Sequence, residues 1–147
     1  MEIQQDFKEL LASFNGHEVE YVVIGAHALA FHGVPRYTGD IDIYVRPGEQ
    51  NARRVVAALK DFGFGSAQLS EADFTEPDRV IQLGLPPVRI DLLTSISGVS
   101  WEDVFSHRVA GEYGGVPVCF IGIDQLIANK RACGRIKDMA DIEALGK

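Results

Sequence analysis

Two aspartates separated by a single residue are the part of the sequence best suited to chemistry. Asp40 and Asp42 lie in the segment 40–45 (DIDIYV), where polar and apolar residues alternate. Such alternation predicts a β-strand, and residues two apart on a strand project to the same side. Neighbouring carboxylates repel each other unless a proton or a cation lies between them. Because hard divalent cations such as Mg²⁺ favour oxygen ligands, the pair is a candidate metal site.

A third carboxylate lies within another predicted strand, residues 88–93 (VRIDLL). Asp91 shares one face of this strand with Arg89, since the two are two residues apart. An acid among apolar residues is costly to bury unless it meets a partner or a metal. We expect Asp91 to join the aspartate pair if the two strands are neighbours. The competing expectation is an ion pair, which either Arg89 or Arg36 could supply.

A glycine turn precedes the aspartate pair. The run 19–24 (VEYVVI) predicts a strand, Gly25 ends it, and Ala26 opens a short predicted helix. Glycine allows a sharp turn and a close approach of the backbone to a ligand. The free N–H groups and the positive dipole end at a helix start suit a phosphate. A phosphate beside a carboxylate–metal cluster indicates phosphoryl or nucleotidyl transfer.

Alternating helices and strands must position these residues. Asp124 is the predicted N-cap of the helix 125–133, and turns near residues 84–87 and 114–115 predict two hairpins. The order of elements indicates a single α/β (α+β) domain over residues 1–147, a mixed β-sheet with helices packed on it. Helices are predicted at 2–15, 26–32, 49–62, 101–105, 125–133 and 136–145, and strands at 19–24, 40–45, 79–83, 88–93, 107–112 and 116–121, with 63–78 irregular.

Composition narrows the class of protein. Of the 147 residues, 46% are hydrophobic and 24% are charged, which are globular proportions. Fourteen Lys and Arg against 21 Asp and Glu give a net charge of −7, which disfavours a broad nucleic-acid surface. Cys119 and Cys133 are too few for a disulfide framework, so we expect a reducing, cytoplasmic setting. No apolar run reaches the ~18 residues of a membrane span.

The motifs together resemble the nucleotidyltransferase superfamily, which has the DNA polymerase β-like fold. Its pattern is a hydrophobic residue with Gly-Gly or Gly-Ser, a spacer, Asp-hydrophobic-Asp/Glu, and a later Asp on a strand. Segments 25–45 and 126–142 are similar to small prokaryotic members of toxin–antitoxin or abortive-infection type. The matching residues are Ile24-Gly25-Ala26, Asp40-Ile41-Asp42 and Asp91.

This resemblance implies Mg²⁺-dependent transfer of a nucleoside monophosphate from an NTP to an acceptor hydroxyl, with release of pyrophosphate. Asp40 and Asp42 would bind two Mg²⁺ ions, and Asp91 would bind one of them and could take the acceptor proton. The amides of Gly25 and Ala26 would hold the triphosphate. The acceptor is open among RNA such as a tRNA end, a protein or a small molecule. A toxin–antitoxin partner protein is also implied. We expect no membrane partner.

Two residues between the glycine turn and the aspartate pair are further candidates for nucleotide binding. Arg36 can grip a phosphate with two N–H groups, and Thr38 can donate a hydroxyl. The alternative is an exposed loop in which Arg36 pairs with Asp40 or Glu49.

The densest basic stretch lies near the C-terminal end. Lys130 and Lys137 are the better candidates there for reaching the triphosphate or an RNA acceptor. The alternative is a solvated helix face, with Lys137 and Asp141 as an i, i+4 pair. The full set of cations is Lys130, Arg131, Arg135 and Lys137.

Two other classes of function stay open. The first is a catalytically silent binding module that keeps the fold and acts as an antitoxin or a partner subunit. Ala26 favours it, because the family has Gly or Ser at that position. The second is an ordinary acidic α/β domain that binds a small molecule, in which Asp91 should lie far from Asp40 and Asp42.

Overall fold

The computed structural model describes residues 3–36, 38–64, 69–85 and 88–146, in which helices and strands alternate. In that part of the chain, no helix is long and apolar enough to cross a membrane. The helices are α1 (Gln5–Gly16), α2 (Gly25–Phe31), α3 (Glu49–Leu59), α4 (Ala72–Thr75), α5 (Trp101–Ser106), α6 (Ile123–Cys133) and α7 (Ile136–Ala144). The strands are β1 (Tyr21–Ile24), β2 (Asp40–Val45), β3 (Val80–Leu85), β4 (Val88–Leu93), β5 (Val109–Tyr113) and β6 (Val116–Phe120).

The six strands form one mixed sheet in the order β3-β4-β2-β1-β6-β5. The pairs β3–β4, β2–β1 and β6–β5 are antiparallel, whereas β4–β2 and β1–β6 are parallel. This confirms the predicted fold class and the antiparallel pairing of both predicted hairpins, although residues 86–87 of the first predicted turn lie outside the described residues. The parallel pair β2–β4 places the strand of the aspartate pair directly beside the strand of Asp91.

Apolar residues on alternate positions of β2 set the direction of the aspartates. Ile41 and Ile43 are fully buried in a core that also takes the apolar faces of α1 and α3. Because successive side chains on a strand point to opposite faces, Asp40 and Asp42 project from the other side of the sheet. The core therefore fixes which face of the sheet carries the acids.

Two predictions about local structure were wrong. Asp124 is not a helix cap, because α6 already begins at Ile123 and its N-cap is Gly122. A side chain at Gly122 would meet the backbone oxygen of His107 at 2.7 Å, so only glycine fits there. The stretch 63–78, predicted to be irregular, contains the short helix α4.

The end of α3 also differs from the prediction of a helix to residue 62. The α-helix stops at Leu59 and continues as a π-helical turn, Lys60–Phe64. Gly63 has a φ of 125°, which cannot continue a right-handed helix. The chain therefore turns away from α3 at this glycine.

Candidate active site

The register of β2 and β4 brings the candidate carboxylates together. Asp42 lies opposite Asp91, and Asp40 lies opposite Arg89. Opposed residues on neighbouring strands present their side chains on the same face of the sheet. All four therefore form one patch, and the alternative in which Asp91 lies far from the pair does not match this arrangement.

The glycine turn borders the same patch from β1. Ile24 is the antiparallel partner of Asp42, and Gly25 follows at a φ of 68°. A Cβ at Gly25 would lie only 2.3 Å from Oδ2 of Asp42. The carboxylate thus occupies the space that any other residue would fill, so this position needs glycine for conformation and for space.

Arg89 supplies the ion pair that was the competing expectation for Asp91. Its Nε donates to Asp91 Oδ1 at 2.9 Å, and its Nη2 donates to Asp91 Oδ2 at 3.1 Å. The same Nη2 donates to Asp40 Oδ2 at 3.1 Å. Because one nitrogen makes both 3.1 Å contacts, Oδ2 of Asp91 and Oδ2 of Asp40 are separated by no more than twice that distance. Among the described residues, no group of three or more His, Cys, Asp or Glu side chains is arranged to hold a metal ion as it stands.

Burial and negative charge dominate the electrostatics of the patch. Burial raises the pKa of Asp42 to about 6, helped by the charge of Asp91 and by a hydrogen bond that protonated Asp42 can donate to it. Asp40 adds to this shift in the pKa of Asp42, and Arg89 opposes it. One guanidinium thus faces three acids. The donor set is all carboxylate oxygen, which fits Mg²⁺ chemically and attracts a cation.

A cavity of about 380 Å³ opens beside the patch. Its walls include both aspartates of the predicted pair, Asp40 and Asp42. They also include every residue that the sequence assigned to nucleotide binding, namely Gly25, Ala26, Arg36, Thr38, Lys130 and Lys137. The fold therefore gathers at one cavity residues that are spread over more than a hundred positions of the chain.

Buried ion pairs form the floor of this cavity. Lys130, only 8% exposed, donates to Asp141 Oδ2 at 2.8 Å. Arg36 also pairs with Asp141, so the expected partners Asp40 and Glu49 were both wrong. Sequence reasoning missed Asp141 as a buried anion because both of its partners lie outside α7, Lys130 by 11 positions and Arg36 by 105.

Lys137 is an exposed candidate cation at the cavity. Its predicted i, i+4 pair with Asp141 was wrong, because Asp141 turns inward to Lys130 and Arg36. No ion pair of Lys137 is found among the described residues, and its side chain borders the cavity. Its charge is therefore less compensated than that of Lys130, which also lies 3.6 Å from Asp138.

Thr38 serves the backbone at the start of β2. Its hydroxyl accepts from the N–H of Asp40 at 3.1 Å and lies 3.2 Å from the carbonyl oxygen of the same residue. Thr38 thereby fixes the first residue of the strand that carries the aspartate pair. Its hydroxyl is already engaged in this turn.

A second cavity, of about 440 Å³, is also lined by Asp42 and shares Gly25, Lys130 and Arg135 with the first. Ser95, Ser97 and Asn129 give it a polar wall that sequence reasoning missed, although the hydroxyl-rich stretch directly after β4 was a readable signal.

A larger cavity of about 480 Å³ opens at the opposite end of β1, beside Tyr21, and none of the three carboxylates lines it.

The mixed sheet with helices packed on it matches the fold of solved nucleotidyltransferase structures, as the motifs predicted. No family model and no curated protein sequence matches the chain. Solved structures do. A Thermotoga maritima protein classed with the nucleotidyltransferases is similar over 94% of this chain and 88% of its own, at 15% identity and a TM-score of 0.62.

Two further solved structures share the fold. An antigenic nucleotidyltransferase-like protein from Paracoccidioides brasiliensis is 17% identical over 97% of this chain and 77% of its own, with a TM-score of 0.59. The lincosamide antibiotic adenylyltransferase LnuA, bound to lincomycin, is 12% identical over 100% of this chain and 99% of its own, with a TM-score of 0.56. At these identities the likeness is one of fold.

Proposed function

We propose that this chain is an Mg²⁺-dependent nucleotidyltransferase that moves a nucleoside monophosphate from an NTP to an acceptor hydroxyl. The observation that carries the proposal is the register that sets Asp42 against Asp91, with Asp40 on the same face. The adjoining cavity, with its glycine turn and cations, supplies a place for a triphosphate. The relatives named above support the same reaction class.

The carboxylates have separate roles in this proposal. Asp40 and Asp42 would hold two Mg²⁺ ions, and Asp91 would hold one of them. Bound Mg²⁺ would neutralise charge on the phosphates and lower the pKa of the attacking hydroxyl. The acceptor oxygen forms a bond to the α-phosphorus. The bond between the α-phosphorus and the oxygen that bridges it to the β-phosphate breaks, and the electron pair of that bond leaves with pyrophosphate. Asp91, 8% exposed, takes the acceptor proton.

The cations and amides of the first cavity would hold the triphosphate. The N–H groups of Gly25 and Ala26 open α2, where free donors and the helix dipole favour an anion. Lys137 contributes an exposed positive charge, and Arg36 contributes part of its guanidinium fork. Lys130, already bonded to Asp141, positions the wall of the cavity and adds only residual charge.

The donor and the acceptor class can be ordered for testing. One relative is a lincosamide antibiotic adenylyltransferase, which makes ATP the first donor to try and a small molecule the first acceptor class. The net charge of −7 works against a broad RNA contact. RNA, including tRNA ends, and protein hydroxyls are the next two classes.

The experiment is transfer of label from each α-³²P NTP, with Mg²⁺, to the RNA, protein and small-molecule fractions of a cell extract. We expect one fraction to gain label and pyrophosphate to appear in equal amount. Asp42→Asn should abolish both. Asp124→Asn, an exposed acid in the first turn of α6, is the matched control and should keep full activity. Equal labelling by wild type and Asp42→Asn would exclude this mechanism.

The second candidate is a catalytically silent module that serves as an antitoxin or a partner subunit. Two observations favour it: Arg89 already neutralises part of the patch, and Ala26 replaces the usual Gly or Ser. Binding of Mg²⁺ and a non-hydrolysable NTP without transfer to any fraction would select this candidate. Co-purification of one stoichiometric partner protein would support it further.

A further inference from the structure

Arg89 lies where a cation shared by two of the candidate ligands would have to be. It stands two residues before Asp91 on β4 and directly opposite Asp40 on β2. Its guanidinium bonds to both oxygens of Asp91 and to one oxygen of Asp40. The fork geometry of arginine suits such bidentate contact, so this is a specific interaction of the patch.

A divalent cation and this guanidinium compete for the same oxygens. Oxygens that accept hydrogen bonds from Arg89 are not free to coordinate a metal, which needs several of them around one point. With Arg89 in place, no group of three candidate ligand side chains in the described residues is gathered in this way. The two cations therefore exclude each other at the shared oxygens.

The surroundings of Arg89 allow it to withdraw. Its side chain is 29% exposed, and its partners among the described residues are Asp40 and Asp91. Its neighbour on β3 is Gly84, which has no side chain to block a movement toward that edge of the sheet. Withdrawal would therefore break hydrogen bonds to the carboxylates without opening the hydrophobic core.

We propose that Arg89 is a displaceable counterion of the carboxylate patch, and that a divalent cation enters by expelling its guanidinium. The metal affinity of the protein is then set by competition with its own side chain. The inference rests on the proposed function, because it takes the three carboxylates as the metal site. The inference adds a role for Arg89, which stabilises the metal-free patch and is displaced when the metal binds.

The test is a titration of the full chain with Mn²⁺ in the absence of nucleotide, with free Mn²⁺ measured by electron paramagnetic resonance. Loss of charge-assisted hydrogen bonds to the ligands should tighten binding by about 10–100-fold in Arg89→Gln. Arg135→Gln is the matched control. It removes one positive charge from the wall of the cavity that Asp40 and Asp42 line, but Arg135 bonds to Asp138. Its affinity should change by less than about threefold.

A second variant separates charge from geometry. Arg89→Lys keeps the positive charge and loses the bidentate fork, so its Mn²⁺ affinity should fall between those of wild type and Arg89→Gln. It also carries the test if Arg89→Gln does not fold. Saturating Mn²⁺ should raise the midpoint of thermal unfolding more in either variant than in wild type, because the linkage of binding to folding follows affinity.

Three outcomes would overturn the inference: unchanged or weaker Mn²⁺ binding in the Arg89 variants, equal tightening in Arg135→Gln, or no Mn²⁺ binding by any protein. The transfer assay is scored separately. Tighter Mn²⁺ binding in Arg89→Gln together with absent transfer by wild type would reject the proposed function and leave the displacement standing. Transfer by wild type together with unchanged Mn²⁺ affinity in Arg89→Gln would reject the displacement of Arg89 and leave the proposed function standing.

Discussion

Replacing Asp42 by asparagine should stabilise the metal-free protein at about pH 8, although it removes a candidate catalytic residue. At that pH the half-buried carboxylate of Asp42 is ionised, and its burial, together with repulsion by Asp91 and Asp40, opposes folding. Asparagine has nearly the same shape and no charge. Its amide can still donate a hydrogen bond to Asp91, so the packing of the patch is kept.

The magnitude follows from the pKa of Asp42, which burial and Asp91 raise from its ordinary value of 3.8 to about 6. Each pKa unit corresponds to about 1.4 kcal/mol, so the ionised group costs about 3 kcal/mol above pH 6. The folded state binds this proton more tightly than the unfolded state. The contribution of protonated Asp42 to the free energy of unfolding is therefore complete below pH 3.8 and is lost as pH rises through about 6. At pH 4.5 the cost is about 1 kcal/mol, so the advantage of the variant grows by about 2 kcal/mol up to pH 8.

Urea-induced unfolding in the presence of a chelator measures this difference. Trp101 is the single tryptophan, is 7% exposed and packs edge-on against Tyr44 of β2, so its fluorescence reports on the relevant part of the sheet. Burial lowers the pKa of His27, which makes the protein less stable as pH falls. Because wild type and variant share His27, comparing them at each pH removes its contribution.

Asp91→Asn is the informative comparison. It removes the carboxylate that Arg89 holds with two hydrogen bonds, and it should destabilise the protein at both pH values. If Asp42→Asn were less stable than wild type at pH 8, or equally favoured at both pH values, the cost inferred for ionised Asp42 from burial and repulsion would be wrong.

Two further substitutions test how the site is built. Gly25→Ala should cost about 1–3 kcal/mol of unfolding free energy and weaken Mn²⁺ binding, because its Cβ meets Asp42 and its φ is positive. Gly115→Ala has the same backbone problem in open space, so it should leave Mn²⁺ affinity unchanged; equal weakening would argue against the clash. Asp141→Asn should cost about 3 kcal/mol in urea unfolding, because it leaves the buried Lys130 without its main partner. A loss as small as the ~0.5 kcal/mol expected for Asp124→Asn would mean that the ion pair is not important for stability.

The strands that carry the site could be predicted because their patterns are local. The alternation in 40–45 and the apolar run in 88–93 gave the bounds of β2 and β4 as the structure has them. Their register could not be read in the same way. A shift of two residues would keep every side chain on its face and still move Asp91 away from Asp42. The convergence of the acids therefore depends on tertiary structure and not on local sequence pattern.

The ion pairs of the cavity were harder to predict for a similar reason. In α7, Asp138 and Asp141 are buried, whereas Ile136 is 92% exposed and Met139 is 49% exposed. A helix with charged residues inward reverses the usual pattern, so local spacing favoured the wrong pair, Lys137 with Asp141. The signal that could have helped is the match between two acids on one helical face and the basic residues of the preceding helix.

The order of these residues along the chain has a consequence for biosynthesis. All three carboxylates of the patch lie at or before residue 91, and β1, β2 and β4 can pair once β4 has been made. The anions that hold Lys130 and Arg36 in place, Asp138 and Asp141, are translated after the carboxylates of the patch and after both cations. A nascent chain that folds from its N-terminal side would thus form its acidic patch early. It would complete the cationic wall only after α7 has left the ribosome.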